Sequence, residues 1–274
     1  MTTAAARNPQ SLVFRNTAAG TGRQLAVTPD NSAMRHLHYG RIRLGERQRS
    51  LCFDTELRET ALIVLSGHCR VKVDGRTETL GRYDALYVPR GSSLELSTDA
   101  EVDVLECSAP VAGEYPLQLV RYEEVQRDPS LCFSAGGSAT TRQLNILIGK
   151  NVKAGRLVAG FTRSEPGHWT SWPPHEHAAL LEEMYVFFDM PPPAFGIQLV
   201  YSDTQYPELA AIVRDGDAVL MPDGFHPNTS VPGHPVSFVW LMAAHREVED
   251  RVFGVVNVQP EFKQGGSGLE ASLR

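Results

Sequence analysis

One sequence pattern occurs twice in the chain, and this repeat restricts the fold more than any other feature. The segment Asp84-Ala-Leu-Tyr-Val-Pro89-Arg-Gly91 aligns with Asp217-Ala-Val-Leu-Met-Pro222-Asp-Gly224, with Asp-Ala, Pro and Gly in register. The two copies begin 133 residues apart in a chain of 274 residues. Self-similarity at such a period indicates two copies of one structural unit. We therefore expect two tandem domains of the same fold, at residues 1–125 and 126–274.

Short β-rich segments fill both halves of the chain. Examples are residues 61–65, 85–88 and 102–107 in the first half, and 184–188 and 236–243 in the second. The 23 glycines and 18 prolines favour many turns over long helices. Short strands between regular turn signals predict an all-β sandwich or barrel. Residues 1 to about 30 are expected to pack across the two domains.

Composition and charge argue against several classes of partner. The chain has 26 basic and 32 acidic side chains, a formal net charge of −6, and no run of consecutive basic residues. Nucleic acid and anionic membranes are therefore not expected partners. The longest apolar runs are much shorter than the roughly 20 residues that cross a bilayer. Because the N-terminus lacks the apolar segment of a secretory signal and no CxxC pair occurs, we predict a cytoplasmic protein with reduced cysteines.

A histidine-rich segment in the second half carries the strongest chemical signal. His175 and His177 are two residues apart, so both side chains point to one face of an extended strand. The pair Glu182 and Glu183 follows, and His226 comes 43 residues after Glu183. Three histidines and one glutamate from neighbouring strands would suit a divalent ion such as Zn, Mn or Fe. Periodicity alone does not choose between the two glutamates, because they face opposite sides of their strand.

The segments around these residues resemble a known family. They include Gly167-His-Trp169-Thr-Ser-Trp-Pro-Pro-His-Glu-His177, Glu182-Glu-Met-Tyr-Val-Phe-Phe188 and Asp215-Gly-Asp-Ala-Val-Leu-Met-Pro-Asp-Gly-Phe-His-Pro227. The chain is similar to the cupins and, within them, to the 5-deoxyglucuronate isomerases of inositol catabolism, relatives of the 5-keto-4-deoxyuronate isomerases. The resemblance covers most of residues 140–245, with a looser match over residues 36–112. It implies an all-β bicupin with two tandem cupin (jelly-roll-like) β-barrels.

The resemblance also implies a set of metal ligands. The family's ligands fall on four residues, His175, His177, Glu183 and His226. They would hold one divalent ion, with Zn expected and Mn or Fe as alternatives. In the first half Glu59 lies near the position of Glu183, but Ser50, Cys52 and Ser93 stand where the histidines would be. We therefore expect a first domain without metal ligands.

An isomerase of this class transfers a proton between adjacent carbons of a sugar acid. It needs a base, a proton relay, and a cation for the substrate carboxylate. The predicted catalytic residues are Glu182, Tyr185 and His168, with Glu165 as an alternative base. The predicted substrate-binding residues are Arg142, Arg156 and Gln198, with Lys153 and Arg163 as further candidates for the carboxylate.

The resemblance implies a metal-dependent aldose–ketose isomerase. It would convert 5-deoxy-D-glucuronate to 5-dehydro-2-deoxy-D-gluconate in myo-inositol catabolism. Three alternatives stay open: an isomerase of a related uronate such as 5-keto-4-deoxyuronate, a metal-dependent cupin dioxygenase, and a sugar-binding protein without activity. The expected partner is a small-molecule sugar acid. A homo-oligomer formed through sheet edges or N-terminal arms is compatible with this reading.

Overall fold

The computed structural model describes residues 12–265, and these residues are nearly all β. The strands up to the middle of the chain are β1 Val13–Phe14, β2 Gly22–Val27, β3 His38–Leu44, β4 Ser50–Asp54, β5 Arg58–Gly67, β6 Cys69–Val73, β7 Arg76–Leu80, β8 Ala85–Val88, β9 Ser93–Ser97, β10 Val102–Pro110 and β11 Gln118–Val120. Helix α1, Tyr122–Arg127, follows. The all-β prediction is confirmed.

The second half continues with twelve further strands and ends in a 3-10 helix, Pro260–Gly265. The strands are β12 Cys132–Ala135, β13 Arg142–Ile148, β14 Leu157–Ser164, β15 Trp169–Thr170, β16 His175–Glu176, β17 Leu181–Phe187, β18 Gly196–Val200, β19 Leu209–Val213, β20 Ala218–Met221, β21 Asn228–Ser230, β22 Ser237–Ala244 and β23 Asn257–Val258. In the part of the chain that the structure describes, no helix is long and apolar enough to cross a membrane.

The two halves share one strand order. The first half has a six-stranded sheet, β11-β8-β5-β10-β3-β2, and a four-stranded sheet, β4-β9-β6-β7. The second half has a seven-stranded sheet, β1-β20-β17-β22-β14-β13-β12, a four-stranded sheet, β15-β21-β18-β19, and the pair β16-β23. The run β8-β5-β10-β3-β2 therefore corresponds to β20-β17-β22-β14-β13. The repeated sequence pattern lies on β8 and β20, which hold the same place in the two orders.

The predicted barrels are not closed. Among residues 12–265, each large sheet ends in edge strands, β11 and β2 in one and β1 and β12 in the other. In the first half, the large and small sheets pack face to face over an apolar core that includes Leu62, Val71 and Leu94. Because the sheets meet through side chains and not through a continuous ladder of backbone hydrogen bonds, the arrangement is an open sandwich.

The large sheet of the first half is buried on both faces. On β5, Leu62 belongs to the core between the two sheets of the first half, whereas Ile63 belongs to a second core that also contains Leu147 and Val186 of the second half. Successive residues of a strand point to opposite faces, so one strand contributes to both cores. The second core therefore joins the halves.

Two buried carboxylates connect the halves in a reciprocal manner. Glu59 on β5 accepts hydrogen bonds of 2.6 to 2.8 Å from the backbone N–H groups of residues 155–157, which lead into β14. Glu182 on β17 accepts hydrogen bonds of 2.6 to 2.8 Å from the N–H groups of residues 35–37, which lead into β3. Hydrogen bonds to an ionised acceptor are stronger than neutral ones. Each half thus binds a backbone segment of the other through a carboxylate at an equivalent position.

The N-terminal segment crosses between the halves, as predicted. Strand β1 pairs with β20 of the second half, whereas β2 pairs with β3 of the first. The part of this segment before residue 12 lies outside the described residues. The predicted domain boundary between residues 125 and 126 falls inside α1. The division at that position stays a prediction.

Candidate metal centre

The predicted metal ligands converge on the inner face of β17. Glu183 lies on this strand, His226 follows the turn after β20, and His177 lies in the connection between β16 and β17. The Nε2 atoms of His177 and His226 are each 3.0 Å from Oε2 of Glu183. The ligand atoms of these three buried residues all lie within 4.8 Å of one another.

His175 lies beside this group. Its ring centroid is 5.0 Å from that of His226 and 6.3 Å from that of His177. It also lines the same cavity as Glu183. The structure therefore places His175 next to the cluster of His177, Glu183 and His226, whose ligand atoms lie closest together.

A backbone carbonyl orients each of the three histidines. The Nδ1 atoms lie 2.8 Å from Pro173 O for His175, 3.1 Å from Leu181 O for His177 and 2.9 Å from Gly224 O for His226. A carbonyl accepts but does not donate, so Nδ1 carries a proton in each ring and Nε2 is the nitrogen that faces the cluster. Histidine ligands of metals are held in this way, with one ring nitrogen donating to an outer partner.

Burial and neighbouring charges determine the protonation of the cluster. Burial lowers the pKa of His175 to about 3, so this ring is neutral at neutral pH. Burial by itself would raise the pKa of Glu183, but the hydrogen bond from His177 and the proximity of His226 outweigh it and lower that pKa to about 2. Burial opposes the charged form of His177, yet the hydrogen bond to Glu183 raises the pKa of His177. The centre is an ionised carboxylate surrounded by imidazoles.

The donor set fits a divalent cation. Nε2 of His226 is fully buried and, although close to Glu183, makes no hydrogen bond of acceptable geometry. A buried polar atom without a partner costs about 1–3 kcal/mol. A cation bound by Nε2 and by the neighbouring carboxylate would satisfy it. Three imidazoles and one carboxylate are ligands typical of Zn and other borderline divalent metals.

The centre opens into a cavity between β13, β14, β17 and β22. Its polar lining consists of Arg142, Thr162, Ser171, His175, Glu183 and Tyr185, and its apolar wall includes Phe238, Trp240 and Phe253. Gly160 on β14 leaves room for this wall, because a Cβ atom there would lie 2.3 Å from Cζ2 of Trp240. A small polar molecule in this cavity would face an imidazole and a carboxylate on one side and a guanidinium and three hydroxyls on others.

Of the predicted catalytic residues, Tyr185 lies in the cavity. Its hydroxyl is 2.7 Å from that of Ser171, and its ring centroid is 4.2 Å from that of Phe238. Burial, followed by the charge of Glu183, raises the pKa of Tyr185 well above its ordinary value. The phenol therefore stays protonated and can donate a hydrogen bond.

The other two predicted catalytic residues lie elsewhere. Glu182 faces the opposite side of β17, where its carboxylate is fully engaged with the backbone of residues 35–37. His168 lies in the turn before β15, and its Nδ1 accepts a hydrogen bond of 3.1 Å from the N–H of Thr141. Neither residue lines the cavity. The placement of Glu182 in the site was wrong because adjacent strand residues point to opposite faces.

The predicted substrate-binding residues also separate. Arg142 lines the cavity, where its guanidinium donates to Trp172 O at 2.6 Å and Thr140 O at 3.1 Å. The guanidinium of Arg156 lies outside the cavity and donates to three backbone carbonyls, those of Pro110, Ala244 and His245. The placement of Arg156 in the site was therefore wrong. Sequence spacing does not show that this guanidinium forms hydrogen bonds to backbone carbonyls of both halves.

Gln198 supports the site from behind. Its side chain is completely buried, and Nε2 donates to the carbonyls of His226 and Leu199, both at 2.9 Å. It does not line the cavity. Gln198 thus fixes the backbone that carries a metal-ligand candidate, and its predicted contact with substrate was misplaced.

Ser171 is a residue of the site that the sequence did not single out. It lies between β15 and β16, in the segment that carries the family resemblance, and has a positive φ of 50°. A non-glycine residue with positive φ is uncommon and often occurs at functional sites. A serine in a Trp-Thr-Ser-Trp run gives no such signal, so only the backbone conformation and its hydroxyl contact identify it.

The first half does not reproduce the centre at the positions expected. Thr60, and not Glu59, corresponds to Glu183. Thr60 pairs with Val88 and Glu183 pairs with Met221, and both partners stand just before a proline of the repeated pattern. Glu59 corresponds to Glu182. Ser93, the repeat counterpart of His226, donates a hydrogen bond to Asp54.

Ser50 and Cys52 do not correspond to the histidines. They lie on β4, and three residues, 55–57, connect β4 to β5. In the second half ten residues, 171–180, lie between β15 and β17, and this longer connection carries both His175 and His177. The corresponding connection of the first half, residues 55–57, is too short to carry a matching pair of ligands.

The fold and the donor set together define a cupin-like protein with a candidate metal centre. The structure is similar to that of a cupin 2 conserved barrel domain protein from Leptotrichia buccalis, with a TM-score of 0.50 and 11% identity, over 89% of this chain and 92% of that chain. It is more similar to the crystal structure of an IolB-like protein from Salmonella typhimurium LT2, with a TM-score of 0.80 and 22% identity, over 92% of this chain and 98% of that chain.

The chain belongs to the KduI/IolB family, whose sequence model matches residues 12–256. A 5-deoxy-glucuronate isomerase from Geobacillus kaustophilus is 28% identical over 239 residues, which cover 81% of this chain and 84% of that protein. A 4-deoxy-L-threo-5-hexosulose-uronate ketol-isomerase from Opitutus terrae is 30% identical over 205 residues, which cover 71% of this chain and 70% of that protein. The family resemblance expected from the sequence is confirmed.

Proposed function

We propose that this protein is a metal-dependent aldose–ketose isomerase that converts 5-deoxy-D-glucuronate to 5-dehydro-2-deoxy-D-gluconate in myo-inositol catabolism. The observation that carries the proposal is the buried cluster of His177, Glu183 and His226, next to a cavity that Glu183 lines together with His175, Arg142 and Tyr185. Family membership and the names of the curated relatives support the isomerase class and the uronate substrate.

In this proposal His175, His177, Glu183 and His226 hold one divalent ion, with zinc expected and manganese or iron as alternatives. When bound, the ion supplies Lewis-acid stabilisation of the negative charge that develops on the substrate oxygens during enolisation. The carbonyls that hold each Nδ1 keep the imidazoles in the tautomer that ligation requires. Gln198 contributes by fixing the backbone of His226.

Arg142 binds the carboxylate at the far end of the substrate in this proposal. Its guanidinium is held by Trp172 O and Thr140 O, so its orientation is fixed before substrate arrives. A planar guanidinium pairs with a carboxylate through charge-assisted hydrogen bonds. Tyr185 donates a hydrogen bond to a substrate oxygen, and the apolar wall of Phe238 and Trp240 excludes water from the reacting atoms.

We also propose a domain division, a cellular location and an assembly for this protein. The shared strand order supports two tandem cupin domains, at residues 1–125 and 126–274. The four cysteines are free thiols, which supports a cytoplasmic location. The exposed edges of the described sheets leave room for a homo-oligomer.

The proposal is tested by assaying metal-analysed protein with two substrates side by side, 5-deoxy-D-glucuronate and 4-deoxy-L-threo-5-hexosulose-uronate. We expect faster turnover of the first. Preference for the second, the compound in the name of the Opitutus relative, would assign the substrate to that branch of the family. Oxygen consumption during turnover would favour a dioxygenase, and absence of turnover with both uronates would contradict the proposal.

The carboxylate contact is tested by Arg142→Lys. Lysine keeps the charge but loses the planar, bidentate geometry. We expect KM to rise roughly tenfold or more with kcat changed much less, since the contact is made equally in the ground and transition states. Arg163→Lys is the matched control, because Arg163 is exposed and pairs with Asp189 at the surface. Equal KM values for wild type and Arg142→Lys would remove Arg142 from the proposed site.

A further inference from the structure

The hydroxyls of Ser171 and Tyr185 form a pair inside the cavity. Their oxygens are 2.7 Å apart, and both side chains line the cavity together with His175 and Glu183. In a pair of hydroxyls one O–H donates to the other oxygen, which leaves the second O–H directed to a further partner. The pair can therefore donate to one group in the cavity and accept from another.

Packing and backbone conformation hold both hydroxyls in place. The ring of Tyr185 packs against Phe238 at 4.2 Å and edge-on against His226 at 5.9 Å between centroids. Ser171 has a φ of 50°, and such a conformation persists in non-glycine residues only when the surroundings impose it. The two hydroxyls are thus positioned beside the metal-ligand candidates before a ligand binds.

An aldose–ketose isomerisation requires two separate proton movements. One proton leaves the hydroxyl-bearing carbon and one is added to the former aldehyde carbon. A second proton leaves the oxygen of that hydroxyl and one is added to the former aldehyde oxygen, so the product is an isomer with no net gain or loss. The second movement carries a proton from one substrate oxygen to the oxygen on the neighbouring carbon. Two protein hydroxyls that are hydrogen-bonded to each other can carry a proton over such a distance.

We infer that Ser171 and Tyr185 form a relay that moves the O–H proton between the two oxygens of the substrate. One hydroxyl accepts the proton from the substrate hydroxyl, the proton of the pair's own hydrogen bond shifts, and the other hydroxyl gives a proton to the former aldehyde oxygen. Both hydroxyls end the step protonated, so no further reactant is consumed. The inference rests on the proposed isomerase function and adds Ser171 to it.

The placement of the other predicted acid–base residues supports this assignment. Glu182 and His168 make their hydrogen bonds outside the cavity. Among the cavity-lining residues within 12–265, Arg142 is a permanent cation, whereas His175 and Glu183 belong to the metal-ligand set. Thr162 adds a third hydroxyl to that lining, and the hydroxyls of Ser171 and Tyr185 are the two that are hydrogen-bonded to each other.

The relay is tested with Ser171→Gly, Ser171→Ala and Tyr185→Phe. Glycine removes the hydroxyl and relieves the positive φ, whereas alanine removes the hydroxyl and keeps the strain. Two rates are measured in D2O with 5-deoxy-D-glucuronate: formation of ketose, and incorporation of deuterium into the recovered aldose. Glu56→Gly is the matched control, because Glu56 has a φ of 52° in the corresponding connection of the first half.

We expect ketose formation to fall about 100-fold in all three variants while KM stays within twofold. Deuterium incorporation should persist, because carbon deprotonation and its reversal do not require the transfer between oxygens. The ratio of exchange to isomerisation therefore rises, which a general loss of structure would not produce. Ser171→Gly combined with Tyr185→Phe should cost no more than either change alone, and Glu56→Gly should leave both rates unchanged.

Two results would overturn the relay while leaving the isomerase intact. One is unchanged ketose formation in the Ser171 variants. The other is a parallel fall of exchange and isomerisation at unaltered metal content and melting temperature. A wild-type protein that neither isomerises the uronates nor exchanges their carbon-bound hydrogen would overturn the proposed function and the relay together.

Discussion

The two halves share a strand order, but their interiors are filled differently. In the second half the inward positions Glu183, Tyr185 and Trp240 line a cavity. Strand pairing places Thr60 and Leu62 of the first half at the positions that Glu183 and Tyr185 hold in the second. The cavity therefore depends on which side chains point inward and not on a different scaffold.

An ion pair occupies part of the first half's interior. Glu106 takes the position of Trp240. Glu106 pairs with Leu62 on β5, and Trp240 pairs with Tyr185 at the equivalent position of β17. Its carboxylate accepts two hydrogen bonds from Arg23, at 2.6 and 2.7 Å, and the guanidinium of Arg23 lies 3.9 Å from the ring centroid of Phe53. Where the second half leaves space for a ligand, the first half supplies its own cation, anion and aromatic ring.

The connection into the central strand is the second difference. The three residues 55–57 pass directly from β4 to β5, whereas residues 171–180 in the second half form a longer excursion that carries Ser171, His175 and His177. Chemistry on a duplicated β scaffold is commonly added through loops of this kind. The comparison indicates that one connection and a few inward positions separate the half with the candidate metal centre from the half without it.

The largest expected effect comes from the metal ligands. Glu183→Gln or His177→Ala should lower the metal content below one ion per chain. We expect kcat to fall by about 10³-fold or more, because the Lewis acid is lost. Metal content is measured by atomic emission and turnover with 5-deoxy-D-glucuronate. Thr60→Val and Ser93→Ala, at the corresponding positions of the first half, should leave both quantities unchanged. Loss of metal in a first-half variant would break the contrast between the halves.

The reciprocal carboxylates should have the next largest effect, on stability. Glu59→Gln and Glu182→Gln each place an amide donor against backbone N–H donors, and we expect each to lower the free energy of unfolding by about 2–4 kcal/mol. Urea unfolding measures the loss. Turnover of folded Glu59→Gln should equal that of wild type, and Glu182→Gln should lose less than tenfold through its neighbour Glu183. A 10³-fold loss of turnover in Glu182→Gln with unaltered stability would restore Glu182 as a catalytic base.

The smallest expected effect concerns a contact of the second half with the segment after β10. The carboxylate of Glu247 accepts hydrogen bonds of 2.8 Å from the N–H groups of Ala112 and Gly113 and from the Tyr115 hydroxyl. Partial burial opposes ionisation, but these hydrogen bonds lower the pKa of Glu247 below its ordinary value of 4.5. A lowered pKa in the folded state stabilises the protein above that ordinary value, and the contribution is lost as the pH falls through the folded-state pKa.

Glu247→Gln should therefore be less stable than wild type at pH 7 by less than about 1 kcal/mol. The difference should shrink as the pH falls below the ordinary pKa of 4.5 and through the lowered folded-state pKa, where the wild-type carboxyl takes up its proton. Urea unfolding at pH 7 and at pH 3.5 measures both values. A difference of equal size at the two pH values would show that Glu247 acts through packing and not through its charge.

The sequence predicted which residues would lie close together at the candidate centre, from a local histidine spacing and from the family resemblance. The spacing of His175 and His177 fixes a common face, and the family motif selects Glu183 over Glu182. It did not separate Arg142 from Arg156, since each lies in a segment that matches the family. The difference is that Arg142 lines the cavity of the second half, whereas the guanidinium of Arg156 donates to carbonyls such as that of Pro110.

The sequence by itself determined the all-β class, the duplication and the four residues that converge at the centre. The tertiary structure decided that the sheets stay open, that Glu182 binds the backbone of the other half, and that Ser171 meets Tyr185. The physical reason is that strand periodicity assigns a side chain to one of two faces but does not say what lies opposite that face. That is decided by how the sheets of the two halves pack, through contacts between residues far apart in the chain.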